Sequence, residues 1–232
     1  MIANLDDLKN SYSGSKCFII GAGPSVAFLD LSQIHDHLVI AVNSAAMLMP
    51  WLKKGKGRFW ISNDSLVIKW SYFKTHIEPF SCVKLIRTSW AKHARYLKGK
   101  GYRYFRARER GYDQPIDDSD AGLTGVSSVP TAIDLAILLG AQQVYLLGVD
   151  HKMVQNKSHF WQFWHRSKWP QRVDKSKNYR PEQKHQHEIF EKNLVAFEHL
   201  NNYAQAQGVD IYNLNKSSAV KVFPKIRFEE AF

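Results

Sequence analysis

Seven short apolar runs set the terms on which this chain can fold. They lie near residues 16–20, 38–42, 58–62, 82–87, 102–106, 143–147 and 209–213, and several, such as Val144-Tyr145-Leu146-Leu147, are continuous rather than alternating. A strand that is apolar at every position must be covered on both faces, which is the habit of parallel sheets flanked by helices. Helical patterns fill the intervals, near 24–35, 44–54, 64–76, 90–99, 125–140 and 184–207. The alternation predicts an α/β fold: a doubly wound, mostly parallel, Rossmann-like sheet. No internal repeat or low-complexity linker divides the 232 residues, so 1–232 reads as a single domain.

Two stretches break the rhythm. Residues 95–120 are basic first and acidic last. Residues 150–181 form a longer interruption, and a connection of that length in a compact domain is usually a lid or a binding loop. Between His151 and Arg180 stand three Trp, two Phe, one Tyr and eight Lys or Arg, so the insertion is a basic, aromatic lid with short helices. Cations interleaved with aromatics suit stacking on bases or sugars beside phosphates. The formal charge of +11 likewise suits an anionic partner, such as a phosphorylated small molecule, an anionic acceptor or nucleic acid. No apolar run is long enough to cross a membrane, and no secretory signal opens the chain. Cys17 and Cys82 sit in apolar strand runs without metal-ligand spacing, and so read as reduced core residues of a cytoplasmic protein.

In an open α/β sheet, ligands bind outside the carboxyl ends of the strands. The first run ends in Gly21-Ala22-Gly23-Pro24-Ser25. Gly21 and Gly23 permit a tight turn and close approach of a ligand, Pro24 suits the first helical position, and Ser25 with the free N–H groups suits a phosphate or ribose oxygen. It is neither the dinucleotide fingerprint nor a Walker loop. The second run ends in Asn43 and the third in Ser62-Asn63-Asp64, each a ligand contact or a helix cap. A hydroxyl cluster, Thr124, Ser127 and Ser128, precedes the strongly apolar helix that ends at Gly140; the next strand ends in Gly148-Val149-Asp150. The last strand leads into Asn213, Asn215 and Ser217, which suit either a nucleotide or a plain turn.

These elements carry a resemblance. GAGPSV, the strand ending in Asn43, SND at 62–64, the block GVSSVPTAIDLAILLGAQQVYLLGVD and SHFW at 158–161 resemble the DUF115 family, which includes 6-hydroxymethylpterin pyrophosphokinase MptE-like proteins. The same skeleton is similar to glycosyltransferase family 42, the Campylobacter-type sialyltransferases. The second resemblance implies a nucleotide-sugar donor, CMP- or NDP-linked, held by Gly21–Ser25, Asn43 and Ser127 or Ser128. It implies a histidine base opening the helix after the lid, at His187 or His185. The pattern departs at Ala22, where that family has asparagine, and at its two phosphate-steadying tyrosines, near which Lys152 and Ser158 or His159 stand. Lys152, Lys157, His159 or Arg166 would then neutralise phosphate. The first resemblance implies instead a pyrophosphokinase needing Mg²⁺, with Asp64 and Asp150 as the carboxylates. A third reading is a nucleic-acid-binding module without catalysis.

Overall fold

The computed structural model describes residues 5–52, 57–80, 82–89, 97, 102–108, 122–171 and 183–232. Seven strands form one sheet: β1 Lys16–Ile20, β2 Leu38–Val42, β3 Arg58–Ser62, β4 Val83–Arg87, β5 Tyr102–Phe105, β6 Gln143–Leu147 and β7 Asp210–Asn213. Their order is β5-β4-β3-β2-β1-β6-β7, and every pairing is parallel. The chain starts at β1, steps outward to β5, then returns to place β6 on the other side of β1. That reversal puts a topological switch point between β1 and β6.

The two-sided covering expected from the apolar runs is what the side chains show. Cys17 and Ile19 of β1 face one core, with α1 (Ser128–Leu138) and α2 (Gln183–Ala206). Phe18 and Ile20 face the other, with Val26, Leu31, Ile34, Leu48, Phe73 and Phe160. The sheet is therefore doubly wound, as the period of its strands requires.

The second face corrects the helical reading. The single helix expected over 24–35 is two 3-10 segments, Pro24–Phe28 and Leu31–Ile34. Leu29 turns extended after the first, and the Asp30 carboxylate accepts the Ser32 N–H to open the second. The pattern over 64–76 likewise divides into Ser65–Lys69 and a π-type turn at Phe73–Ile77, parted by the extended Trp70. Asn43–Leu52 is also of 3-10 type. Most of the helix expected at 90–99 and of the segment 95–120 lies outside the described residues.

On the first face the signals act as expected. Ser127 is the extended N-cap of α1, Pro130 stands in its first turn, where no backbone N–H is needed, and Gly140 follows its end at φ +85°. The described part of the lid carries two short 3-10 helices, Phe160–Phe163 and Arg166–Lys168. Phe160 is fully buried, its N–H donates to the Ala22 carbonyl at 3.1 Å, and Phe163 meets Phe28 edge-on at 4.9 Å between centroids. The lid is thus pinned to the first loop.

Candidate functional site

At the switch point, the loop after β1 presses directly on the loop after β6. The Gly21 N–H donates to the Leu147 carbonyl at 2.7 Å and the Gly23 N–H to the Gly148 carbonyl at 2.8 Å. A Cβ on Gly21 would lie 2.6 Å from the Gly148 oxygen, and one on Gly23 2.4 Å from that oxygen and 2.5 Å from an Asp150 carboxylate oxygen. Gly148 itself has φ +63°. The glycines of GAGPS therefore serve backbone-on-backbone packing, which differs from the expectation that they clear space for a ligand.

Ser25 also differs from expectation. Its N–H donates to Asp150 Oδ2 at 2.8 Å and its hydroxyl to Asp150 Oδ1 at 2.6 Å; Asn215 Nδ2 adds a third bond to Oδ1 at 2.7 Å. The chain's own carboxylate, 2% exposed, stands where an external anion was expected. Pro24–Phe28 is also too short to present a helix dipole to a phosphate. Asn213 is fully buried, with its amide donating to Val149 O at 2.9 Å and to Ser218 Oγ at 3.2 Å. Asn213 Oδ1 accepts the Asn215 N–H, and Asn215 Oδ1 accepts the Ser217 N–H, so this segment is the turn its composition also allowed. Asp150, Asn213 and Asn215 form a hydrogen-bonded cluster beyond the ends of β6 and β7, where such sheets open a crevice, and Ser217 is exposed beside it.

Next to this cluster the ends of β2 and β3 meet the start of α1. Ser128 Oγ donates to Asn43 Oδ1 at 3.2 Å and accepts the Asn63 N–H at 2.9 Å. Asn63 Nδ2 donates to Thr131 Oγ1 at 2.8 Å, and Thr131 donates to the Thr124 and Ser127 carbonyls. The Thr124 N–H donates to Asp134, which pairs with Arg108 at 3.3 Å. Ser127 Oγ turns to Asn193 Oδ1 of α2 at 2.7 Å and makes no cap bond, so the first N–H groups of α1 are left without a side-chain acceptor. Asn43 has left-handed backbone, φ +50°, and its carbonyl accepts the Trp60 Nε1–H at 3.0 Å. Among the described residues its Nδ2 has no hydrogen-bond partner and it remains partly exposed. Asn43, Ser127 and Ser128, predicted far apart in sequence, are brought together here.

The acidic pair is not. Asp64 caps its own 3-10 turn through the Leu66 N–H at 2.8 Å, and Ser62, fully buried, bonds the Asp64 backbone. Asp64 follows β3 and Asp150 follows β6, three strand spacings apart, or roughly 14 Å. Each of the two carboxylates has hydrogen-bond partners of its own in the protein, and among the described residues no cluster of three or more His, Cys, Asp or Glu suits a metal.

The lid cations also sort themselves. Burial drives the His159 pKa down to about 4, so the ring is neutral at pH 7 and does not neutralise phosphate as expected. Its Nδ1 meets Ser158 Oγ at 2.8 Å and its ring stacks on Trp161. Lys157 lies 4.0 Å over the Phe163 ring, and Arg166 5.8 Å from Trp169. Lys152, one residue past His151, is the cation nearest the crevice along the chain. His185 and His187 belong to the opening turns of α2, and their side chains lie outside the described residues.

Two residues of this site were missed in the sequence. Asn193 is a buried amide on the apolar stripe of Leu194, Phe197 and Leu200, and a polar residue on such a stripe was the available signal. His151 gave no signal of its own; its ring lies on Phe190 at 4.4 Å and against Phe197 at 5.4 Å.

Burial holds both His151 and His159 near pKa 4, against 6.5 unperturbed. As pH falls below about 6.5 the unfolded chain takes up these protons and the folded chain does not. Stability is thus complete above that value and is lost progressively toward pH 4. Thermal melts between pH 7.5 and 4.5 should show a falling Tm, and His159→Gln should flatten part of the slope. An unchanged slope in that variant would contradict a buried neutral His159.

A groove of about 940 Å³ lies elsewhere, toward the amino ends of β1, β6 and β7, lined by Asn10, Ser13, Arg108, Asp134 and Gln207 among others. None of the residues after β1 and β6 described above lines it.

No protein-family model matches the chain, and no curated protein matches it at the level of sequence. Solved structures do. The monofunctional alpha-2,3-sialyltransferase Cst-I from Campylobacter jejuni aligns with TM-score 0.52 and 15% identity over 91% of this chain and 80% of its own. The sialyltransferase CstII from the same organism, in complex with cytidine-5'-monophosphate, aligns with TM-score 0.48 and 20% identity over 92% and 85%. CstII with a trisaccharide acceptor and CMP gives 0.46 and 18% over 91% and 85%. At such identity the likeness is one of fold: this chain is built on a Rossmann-like α/β skeleton similar to that of Cst-I.

Proposed function

We propose that the protein is a transferase that moves a sugar from a nucleotide-activated donor to a hydroxyl acceptor. One observation carries this reading. Asn43 Nδ2, without a partner among the described residues, and the start of α1, with no side-chain cap, converge at the carboxyl ends of the strands beside the switch point, where such sheets take their ligands. A nucleotide laid across the crevice would meet the Asn43 amide and the hydroxyls of Ser127 and Ser128. Its phosphate would be steadied by the α1 N–H groups and Lys152. His187, or His185 two residues before it, is the base that takes the proton of the acceptor hydroxyl as that oxygen attacks the anomeric carbon and the nucleotide leaves. The structures of CstII with CMP, and with a trisaccharide acceptor, are consistent with such ligands on this kind of fold.

The basic, aromatic lid and the charge of +11 favour an anionic acceptor, a glycan or a nucleic acid. The pyrophosphokinase alternative would need Mg²⁺ held by Asp64 and Asp150, and the screen below separates it from sugar transfer. The buried, free Cys17 and Cys82 fit the cytoplasm as its place of action. Among the described residues no helix is long and apolar enough to cross a membrane.

The test is a thermal-shift screen against CMP, UMP, UDP, GDP, ATP and GTP, each with and without Mg²⁺. A metal-independent rise in Tm with CMP or a nucleoside diphosphate is expected. A rise only with a triphosphate and Mg²⁺ would replace sugar transfer by pyrophosphoryl transfer, and no rise with any would remove the nucleotide site.

A further inference from the structure

His151 combines two unfavourable features that nothing in the fold requires. Its backbone is left-handed, φ +48°. Three other non-glycine residues with positive φ, Asn10, Gln155 and Asn156, lie in tight turns; His151 and Asn43 instead follow strands at the crevice. Its Nδ1 is sealed from solvent and has no hydrogen-bond partner among the described residues, although the ring stacks on Phe190 and Phe197 as a phenylalanine would. A buried nitrogen left unpaired destabilises a fold, whereas an apolar ring of the same shape would not. Local strain and unpaired polar atoms gather where a ligand is handled.

The arrangement also fixes which nitrogen can act. An unpaired buried N–H is rarer than an unpaired buried lone pair, which places the proton on Nε2 and leaves the bare lone pair at Nδ1. Nε2 is not among the buried atoms left without a partner. Phe190 stands one turn of α2 from Asn193, which holds Ser127 at the start of α1, so the imidazole belongs to the same wall of the crevice.

We propose that His151 is a positioning residue whose Nε2–H donates a hydrogen bond to an oxygen of the nucleotide bound in the crevice. This rests on the nucleotide reading given above. The ring is neutral at pH 7 because burial opposes its charge, so it orients the ligand by a directed bond rather than by an ion pair.

The experiment measures CMP and cytidine affinities by calorimetry, and Tm without ligand, for the full chain and for His151→Phe, His151→Met and His151→Gln. Phe and Met remove the donor; Gln keeps a side-chain N–H. His151→Phe should keep or raise Tm while weakening CMP about tenfold, the size of one bond to a charged group, and His151→Gln should restore part of the loss. His151→Met carries the same test if the Phe variant fails to fold. A loss confined to CMP assigns the bond to a phosphate oxygen, and an equal loss for cytidine assigns it to the nucleoside. CMP binding unchanged in the Phe and Met variants overturns the role of His151 alone. A wild-type chain that binds neither ligand overturns the nucleotide reading, and this inference with it.

Discussion

Gly23→Ala should lower Tm by roughly 6–12 °C, the equivalent of about 3 kcal/mol in a domain of this size. The added methyl would arrive 2.4 Å from the Gly148 carbonyl oxygen and 2.5 Å from Asp150 Oδ2. Neither neighbour is the yielding tip of a flexible chain. The first is backbone, and the second is a buried carboxylate held by Ser25 and Asn215. Making room would also break the Gly23 N–H bond to that same carbonyl. Gly14→Ala is the comparison: it too changes a glycine beside the sheet, but nothing stands within 4 Å of its Cβ. Its own cost comes from φ +76° alone and should be the smaller of the two. Equal melting of Gly23→Ala and wild type would mean that the two loops are not in contact. Because the variant damages the fold, lost activity in a Gly23 substitution says nothing about ligand contact.

His187→Ala should lower turnover by about 10²–10⁴, the usual contribution of a positioned general base, and leave nucleotide affinity within about twofold. The separation of the two effects is the point. In the proposed reaction the base would act on the acceptor, while the nucleotide would be held by Asn43 and the α1 start. His185→Ala serves as the control for register, since the two histidines are neighbours in the opening turns of α2. If His185→Ala carries the loss and His187→Ala does not, the base is His185. Full turnover in both single variants and in the double variant would exclude a histidine base at this place.

The strands were legible because their signal is local. Five continuous apolar residues at 38–42 became β2, buried at every position, and the run at 16–20 became β1. The helices of the second face were legible as amphipathic segments but not by type. Asp30 ends and reopens the chain over one residue, so the pattern at 24–35 has the right apolar face and the wrong geometry. Asn43, Ser127 and Ser128 were singled out from their positions at strand and helix ends, and the structure places them side by side. The bond from Ser25 to Asp150 was not legible, because the two residues lie 125 positions apart. His151 was invisible for a similar reason: its stacking partners belong to α2, and no short window of sequence holds both.

The position of β1 between β2 and β6 has a consequence for how the molecule comes into being. A chain emerging from the ribosome delivers β1 to β5 first, and β1 then shows an edge of unpaired backbone N–H and C=O groups flanked by apolar side chains. That edge waits for β6, whose loop supplies Gly148 and Asp150 to meet the first loop across 125 residues. Contacts so distant along the chain form slowly, and an open strand edge invites pairing with other chains. The half-made protein therefore carries the recognisable glycine turn but no cleft, and its greatest exposure to aggregation falls in the interval before residues 143–150 are released. Shielding of that interval, rather than the final stability of the fold, is what expression of this protein should depend on.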